Sequence, residues 1–149
     1  MPRWYFEDLS PGHVLEASGP TVTAEEIIDF AKQFDPQYFH VDAEAAKRSP
    51  FGGLIASGWH TSALCMRMVC DAYLLDAASL GSPGVDELRW VKPVFAGDTL
   101  RLKMIVQESR PSKSRPDQGS VLSRWEVFNQ KDELVMHMTG WGMFKKRGA

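Results

Sequence analysis

The segment Asp35-Pro36-Gln37-Tyr38-Phe39-His40 sets a carboxylate and an imidazole five positions apart. An aspartate is a fixed base, and a histidine, with an unperturbed pKa of about 6.5, exchanges a proton near neutrality. On a continuous helix the two side chains would diverge by about 140°. They converge only if the backbone between them is irregular, and Pro36 imposes that irregularity. Once converged, they could hold one water between them. Further along, Phe51-Gly52-Gly53-Leu54-Ile55-Ala56-Ser57-Gly58 runs into a long apolar segment. Gly52-Gly53 lets the chain approach another group closely. Gly58 falls in the first turn of a helix, where backbone N–H groups lack intrahelical partners and the dipole is positive. A carbonyl oxygen brought there would be polarised, as in an oxyanion hole. Taken singly each feature has a plainer reading: an aspartate before proline ends helices, a lone histidine is often structural, and Gly58 permits tight helix–loop packing.

The elements that must position these residues are legible in the pattern. Thr23-Ala24-Glu25-Glu26 reads as a capping box, with Thr23 and Glu26 each satisfying the other's backbone donor. It opens a helix with Ile27, Phe30, Ala31 and Phe34 on one face, and Pro36 stops it. Asp42 caps a short helix over 43–47, and Ser57 caps the long one. In the long helix Trp59, Ala63, Met66, Cys70, Tyr73 and Ala77 step by four and three. Leu64, Met68 and Leu75 widen that face, so other structure must wrap the helix. Strands are predicted over 13–21, 88–91, 100–106, 120–128 and 134–145, with Asn129-Gln130-Lys131-Asp132 as the turn before the last. Residues 110–119 read as a polar loop containing Pro111 and Pro116. The fold class expected is α+β: one domain spanning 1–149, with a curved antiparallel sheet wrapped around the long helix.

Composition narrows the function classes. The chain has 149 residues, 44% hydrophobic and 24% charged, with a net charge of −2, which argues against a nucleic-acid binder. No secretory signal is evident in the N-terminal stretch. The apolar region from Gly58 to Leu80 contains Arg67, Asp71 and Asp76 and reads as a buried helix, not a membrane span. Cys65 and Cys70 point in different directions on that helix, which disfavours a disulfide or metal pair; free thiols suit a reducing cytoplasm. No metal-ligand set and no glycine-rich phosphate loop is visible, so no metal and no resident cofactor is expected. His13 and His137 carry no motif, and His60 faces away from Gly58's neighbourhood.

The chain resembles the MaoC-like dehydratases, which include the (R)-specific enoyl-CoA hydratases. The resemblance rests on Asp35, His40, Asp42, Phe51, Ile55, Ala56 and Gly58 in ungapped register. Two further segments, Lys92-Pro93-Val94-Phe95-Ala96-Gly97-Asp98-Thr99-Leu100 and Phe6-Glu7-Asp8-Leu9-Ser10-Pro11-Gly12, extend it over nearly the whole chain. It implies the hotdog fold, usually as a homodimer whose sheets join and whose sites lie at the interface. It also implies a hydro-lyase: Asp35 and His40 would activate water, and the Gly58 N–H would polarise the thioester carbonyl. Water would then add reversibly to a trans-2-enoyl-CoA to give an (R)-3-hydroxyacyl-CoA, with coenzyme A present only as part of the substrate. The substrate-binding set expected around the polarised oxygen is Gly58, Ser57, Gly53, Tyr38, Phe39 and Trp59, the aromatic members forming a bulky entrance.

The chain departs from the family signature at Gln37-Tyr38, where Asn-Pro is common, and at Ser57, where histidine is common. Two other classes therefore stand beside the hydratase: a hotdog thioesterase using Asp35 and Gly58, and a non-catalytic acyl-thioester binder. Candidate cations for the coenzyme A phosphates are Arg110, Lys113 and Arg115 in the polar loop, and Lys145, Lys146 and Arg147 near the C-terminus.

Overall fold

In the computed structural model, which describes residues 1–149, five antiparallel strands form one sheet: β1 (Val14–Thr21), β2 (Gly84–Trp90), β3 (Thr99–Pro111), β4 (Gln118–Phe128) and β5 (Leu134–Lys145). Their spatial order is β1-β3-β4-β5-β2. The strict alternation of buried and half-buried residues along β4 shows why the sheet forms: every second side chain faces one core. That face contributes Leu102, Met104, Val106, Val127 and Met136, all essentially inaccessible to solvent. Burying side chains of this size stabilises the fold by about 1.5–3 kcal/mol each.

The helices are α1 (Ala24–Phe34), α2 (Tyr38–Val41), α3 (Ala43–Lys47) and α4 (Gly58–Ala72), with short 3-10 turns at Phe6–Asp8 and Leu74–Asp76. Helix α4 lies across the sheet's inner face and supplies Cys65, Met68 and Val69 to the core. This is the hotdog arrangement, a central helix wrapped by an antiparallel sheet. No helix is long and apolar enough to cross a membrane.

Three expectations are corrected. The helix ends at Ala72, not near Leu80, and its packed face carries His60, Thr61, Cys65, Met68 and Val69. Trp59, Ala63 and Met66, assigned inward by their spacing, are exposed. A helix apolar nearly all round gives a weak phase signal, so periodicity alone picks the wrong face. The polar loop is also shorter than expected, because β3 extends to Pro111 and β4 begins at Gln118. Finally, the capping box is half formed. Thr23 Oγ1 accepts from Glu26 N at 3.1 Å, but the Glu26 carboxylate takes the Thr23 hydroxyl rather than its backbone N–H.

His60 is the most telling polar member of the core. Its ring stacks on Phe30 at 4.7 Å and 9°, and its Nδ1 is buried without a partner. Burial holds its pKa below the ordinary 6.5, outweighing the opposing pull of Glu26. Folded and unfolded chains thus bind the same number of protons at this residue above about pH 6.5. Below it the unfolded chain takes up a proton that the folded chain refuses, so stability falls with falling pH down to the folded pKa. His60→Phe keeps the stack and removes the titration. Denaturant unfolding at about pH 7 and about pH 5 should show a smaller loss for this variant than for the parent; equal losses contradict the assignment.

Candidate active site

Helix α1 ends at Phe34, and the next residue, Asp35, turns the chain before Pro36 with a φ of −157° and a ψ of 70°. Gln37 N then bonds back to Asp35 O at 2.9 Å, and α2 starts at Tyr38 with His40 in its single turn. The segment leading to α4 runs alongside: Ile55 N donates to Phe39 O at 3.2 Å, and Ala56 N to Val94 O at 2.8 Å. These backbone bonds hold the α2 turn and the start of α4 as one unit.

Within that unit His40 Nδ1 lies 2.6 Å from Ile55 O. A carbonyl only accepts, so Nδ1 carries a hydrogen and donates it. The ring's other nitrogen is therefore the position that gains and loses a proton, and it faces Asp35: His40 Nε2 is 3.3 Å from Asp35 Oδ2. The two side chains touch directly. A water shared by both side chains, as the sequence suggests, would then sit in front of the pair, in the cleft.

The Asp35 carboxylate has two further partners. Ser57 Oγ donates to Oδ2 and Gln37 Nε2 to Oδ1, each at 2.7 Å. Burial alone would raise this carboxyl's pKa, but the Ser57 and Gln37 hydrogen bonds and the His40 charge together bring it below the ordinary value. Asp35 is thereby kept ionised and oriented, as a general base requires.

Ser57 is fully buried. Its Oγ also accepts from Trp59 N at 3.3 Å, which makes it the cap of α4. Expected at the substrate, it instead ties Asp35 to the helix start. Ser57→Ala removes a hydrogen bond to a charged group, worth about 1.5–3 kcal/mol, together with a cap worth about 1 kcal/mol. The Asp35 pKa should rise, moving the acidic limb of the pH profile of kcat/KM to higher pH; a limb that stays in place argues against this coupling.

Gly58 is the first residue of α4, so its N–H has no intrahelical acceptor. A side chain there would force the Trp90 indole or the start of α4 to shift, because a Cβ would stand 2.4 Å from the indole. Asp35, His40, Gly58, Phe39 and Trp59 all border one cleft of about 610 Å³. Phe34, Phe51 and Trp90 add apolar wall, and Lys92 adds a cation.

Besides Ser57, two of the expected binding residues do not border this cleft. Tyr38 is 48% exposed and packs edge-on to Phe39 at 5.1 Å, pointing away. Gly53 lies against the Phe95 ring, where a Cβ would make ordinary contact at 3.7 Å. Glycine is thus not forced at position 53 by crowding. The candidate phosphate cations lie elsewhere too. Arg110 and Arg115 line a separate surface recess, with the Arg110 guanidinium 4.9 Å from the Trp141 ring, and Arg147 pairs with Asp8. The cation at the cleft is Lys92, paired with Glu133, which sequence reasoning passed over. In the sequence Gln37 stands out only as a departure from a signature, although its amide two residues after Asp35 is within reach of that carboxylate. No group of three or more His, Cys, Asp or Glu side chains stands where it could hold a metal ion.

The fold and this constellation define a hotdog protein with a carboxylate–imidazole pair beside a free helix N-terminus. The chain belongs to the MaoC-like dehydratase family: residues 8–124 match the family described as MaoC like domain. A MaoC-like dehydratase from Rhodospirillum rubrum superposes with a TM-score of 0.89 at 40% identity, covering 97% of this chain and 99% of that one. The 3-hydroxybutyryl-CoA dehydratase of Methylorubrum extorquens is 29% identical over 154 residues, 91% of this chain and 93% of its own length. The 3-hydroxyacyl-thioester dehydratase Z of Mycobacterium tuberculosis is 37% identical over 83 residues, 54% of this chain and 55% of the relative.

Proposed function

We propose that this protein is a hydro-lyase of acyl-CoA thioesters, interconverting trans-2-enoyl-CoA and water with (R)-3-hydroxyacyl-CoA. The observation that carries this reading is the 3.3 Å contact of His40 Nε2 with Asp35 Oδ2, on the same cleft as the Gly58 N–H. The thioester oxygen rests at the start of α4, where the Gly58 N–H draws electron density from the conjugated system and makes C3 electrophilic. A water in front of Asp35 and His40 loses a proton to the pair as its oxygen bonds to C3. The pair then returns a proton to C2, so the thioester gains one water and the site ends unchanged. Dehydration is the same path reversed. The dehydratase names of the relatives agree with this chemistry, and the (R) configuration is carried over from the family resemblance.

The working unit in this reading is a homodimer or higher homo-oligomer. Strand β2 pairs only with β5, leaving its outer edge open. Val85, Trp90 and Val91 are exposed there, close in sequence and along one edge, and Trp59 packs on Trp90 at 5.1 Å. An open edge carrying such side chains is stabilised by pairing with a second chain.

Crotonyl-CoA tests the reaction. Loss of enoyl absorbance without free thiol, with (R)-3-hydroxybutyryl-CoA as product, is the expected result. Thiol release identifies a thioesterase instead, and binding with neither change identifies an acyl-thioester binder.

A further inference from the structure

Helix α4 has a second cavity farther along it. This space, of about 210 Å³, is bordered by Met66, Val69, Tyr73, Trp125, Met138 and Phe144, and it shares no residue with the cleft at Asp35. Its wall is mainly apolar. Both cavities lie along α4, between it and the strands β2 and β5: the first reaches Gly58, Trp90 and Val135, the second Met66, Val85 and Met138.

Trp90 borders the first cavity and stands over the turn of α4 that precedes Met66. Its ring covers the Cα of Gly58 so closely that any side chain there would overlap it. Its Nε1 donates to Ser62 Oγ at 3.1 Å, and Ser62 Oγ donates in turn to Gly58 O at 3.0 Å. The indole is thus pinned over the first turn of α4. Met66 follows Ser62 by one further turn, a rise of about 6 Å, and there the second cavity begins.

We infer that Trp90 sets the acyl chain length, closing the cleft to all but short acyl groups and shutting the apolar cavity beyond Ser62 off from the thioester site. This inference rests on the acyl-thioester reading of the cleft. Trp90 is the last residue of β2, and its ring is held over α4 through one side-chain hydrogen bond, to Ser62. Removing it opens a path from Gly58 along α4 into a cavity whose lining suits a hydrocarbon chain.

The test compares crotonyl-CoA with trans-2-octenoyl-CoA in the parent, Trp90→Ala, Trp90→Phe and Ser62→Ala. The parent should favour crotonyl-CoA. Trp90→Ala should raise the octenoyl-to-crotonyl ratio of kcat/KM at least about tenfold, the scale on which pocket shape discriminates single methylene groups. Ser62→Ala, which frees the indole without shortening it, should raise the ratio less. Trp90→Phe supplies the same comparison if the alanine variant does not fold, again with a raised ratio. Calorimetric binding of butyryl-CoA against octanoyl-CoA reads the same preference without turnover. An absence of hydration therefore sinks the proposed reaction while leaving the role of Trp90 open to measurement. A parent that binds or converts both lengths equally, or a ratio unmoved by every variant, overturns the inference. Binding of neither thioester overturns this inference and the functional reading together.

Discussion

Asp35→Asn should lower crotonyl-CoA hydration by about three orders of magnitude, near the middle of the range for removing a positioned acid/base group, while the protein stays folded. The amide matches the carboxylate in shape. Its oxygen can still accept from Ser57, and the Gln37 amide, at an exposed contact, can turn to present its own oxygen to the new NH2. What is lost is the negative charge beside His40 Nε2. Without it the imidazolium form loses its partner 3.3 Å away, and the water in front of the pair loses its base. Circular dichroism and denaturant unfolding should remain close to the parent's, and the defect should lie in kcat more than in KM. Turnover within a few-fold of the parent would remove Asp35 from the mechanism.

Gly58→Ala carries the second large effect, by a different route. The new methyl would meet the Trp90 ring at 2.4 Å, well inside van der Waals contact, so either the indole swings out or the first turn of α4 shifts. The backbone N–H survives the substitution, but a displacement of about 1 Å at a reacting group costs about 100-fold in rate, and that is the loss expected in kcat/KM. The clash makes a further statement checkable. If it is the origin of the defect, Gly58→Ala should cost less in a Trp90→Ala background than alone, because neighbouring substitutions that share one steric conflict do not add. Additive losses would assign Gly58 a role independent of Trp90.

The sequence exposed different parts of this arrangement unequally. Local chemistry read well: Asp42 accepts from Glu44 N and Ala45 N as a cap should, and Ser57 caps α4 as its position implied. The turn at Asn129 also forms, with Asp132 at a φ of 59°. These are effects within four residues of chain, where residue type dictates geometry. Long-range placement read less well. Spacing alone sets Trp59 and Met66 inward because α4 is apolar on several sides, and only the sheet's position decides which side is covered. Lys92 gives no local sign of facing the cleft, since its place follows from the end of β2 meeting the start of α4. Tyr38 and Phe39 are adjacent in sequence, yet one turns outward and the other lines the cleft, a split that the single turn of α2 decides.

The contact between Ser57 and Asp35 bears on tolerance. The carboxylate is fixed to Ser57, and the N–H proposed to receive the carbonyl belongs to the next residue. The spacing between the proton-handling group and the polarising group is therefore set by one hydrogen bond and one peptide unit, not by a path through the sheet. Positional error does not accumulate between them: a tilt of α4 carries both ends together. In the proposed hydro-lyase, changes in the cavity walls, along β2 or the far turns of α4, would accordingly alter which acyl group is accepted without disturbing the geometry in which it reacts.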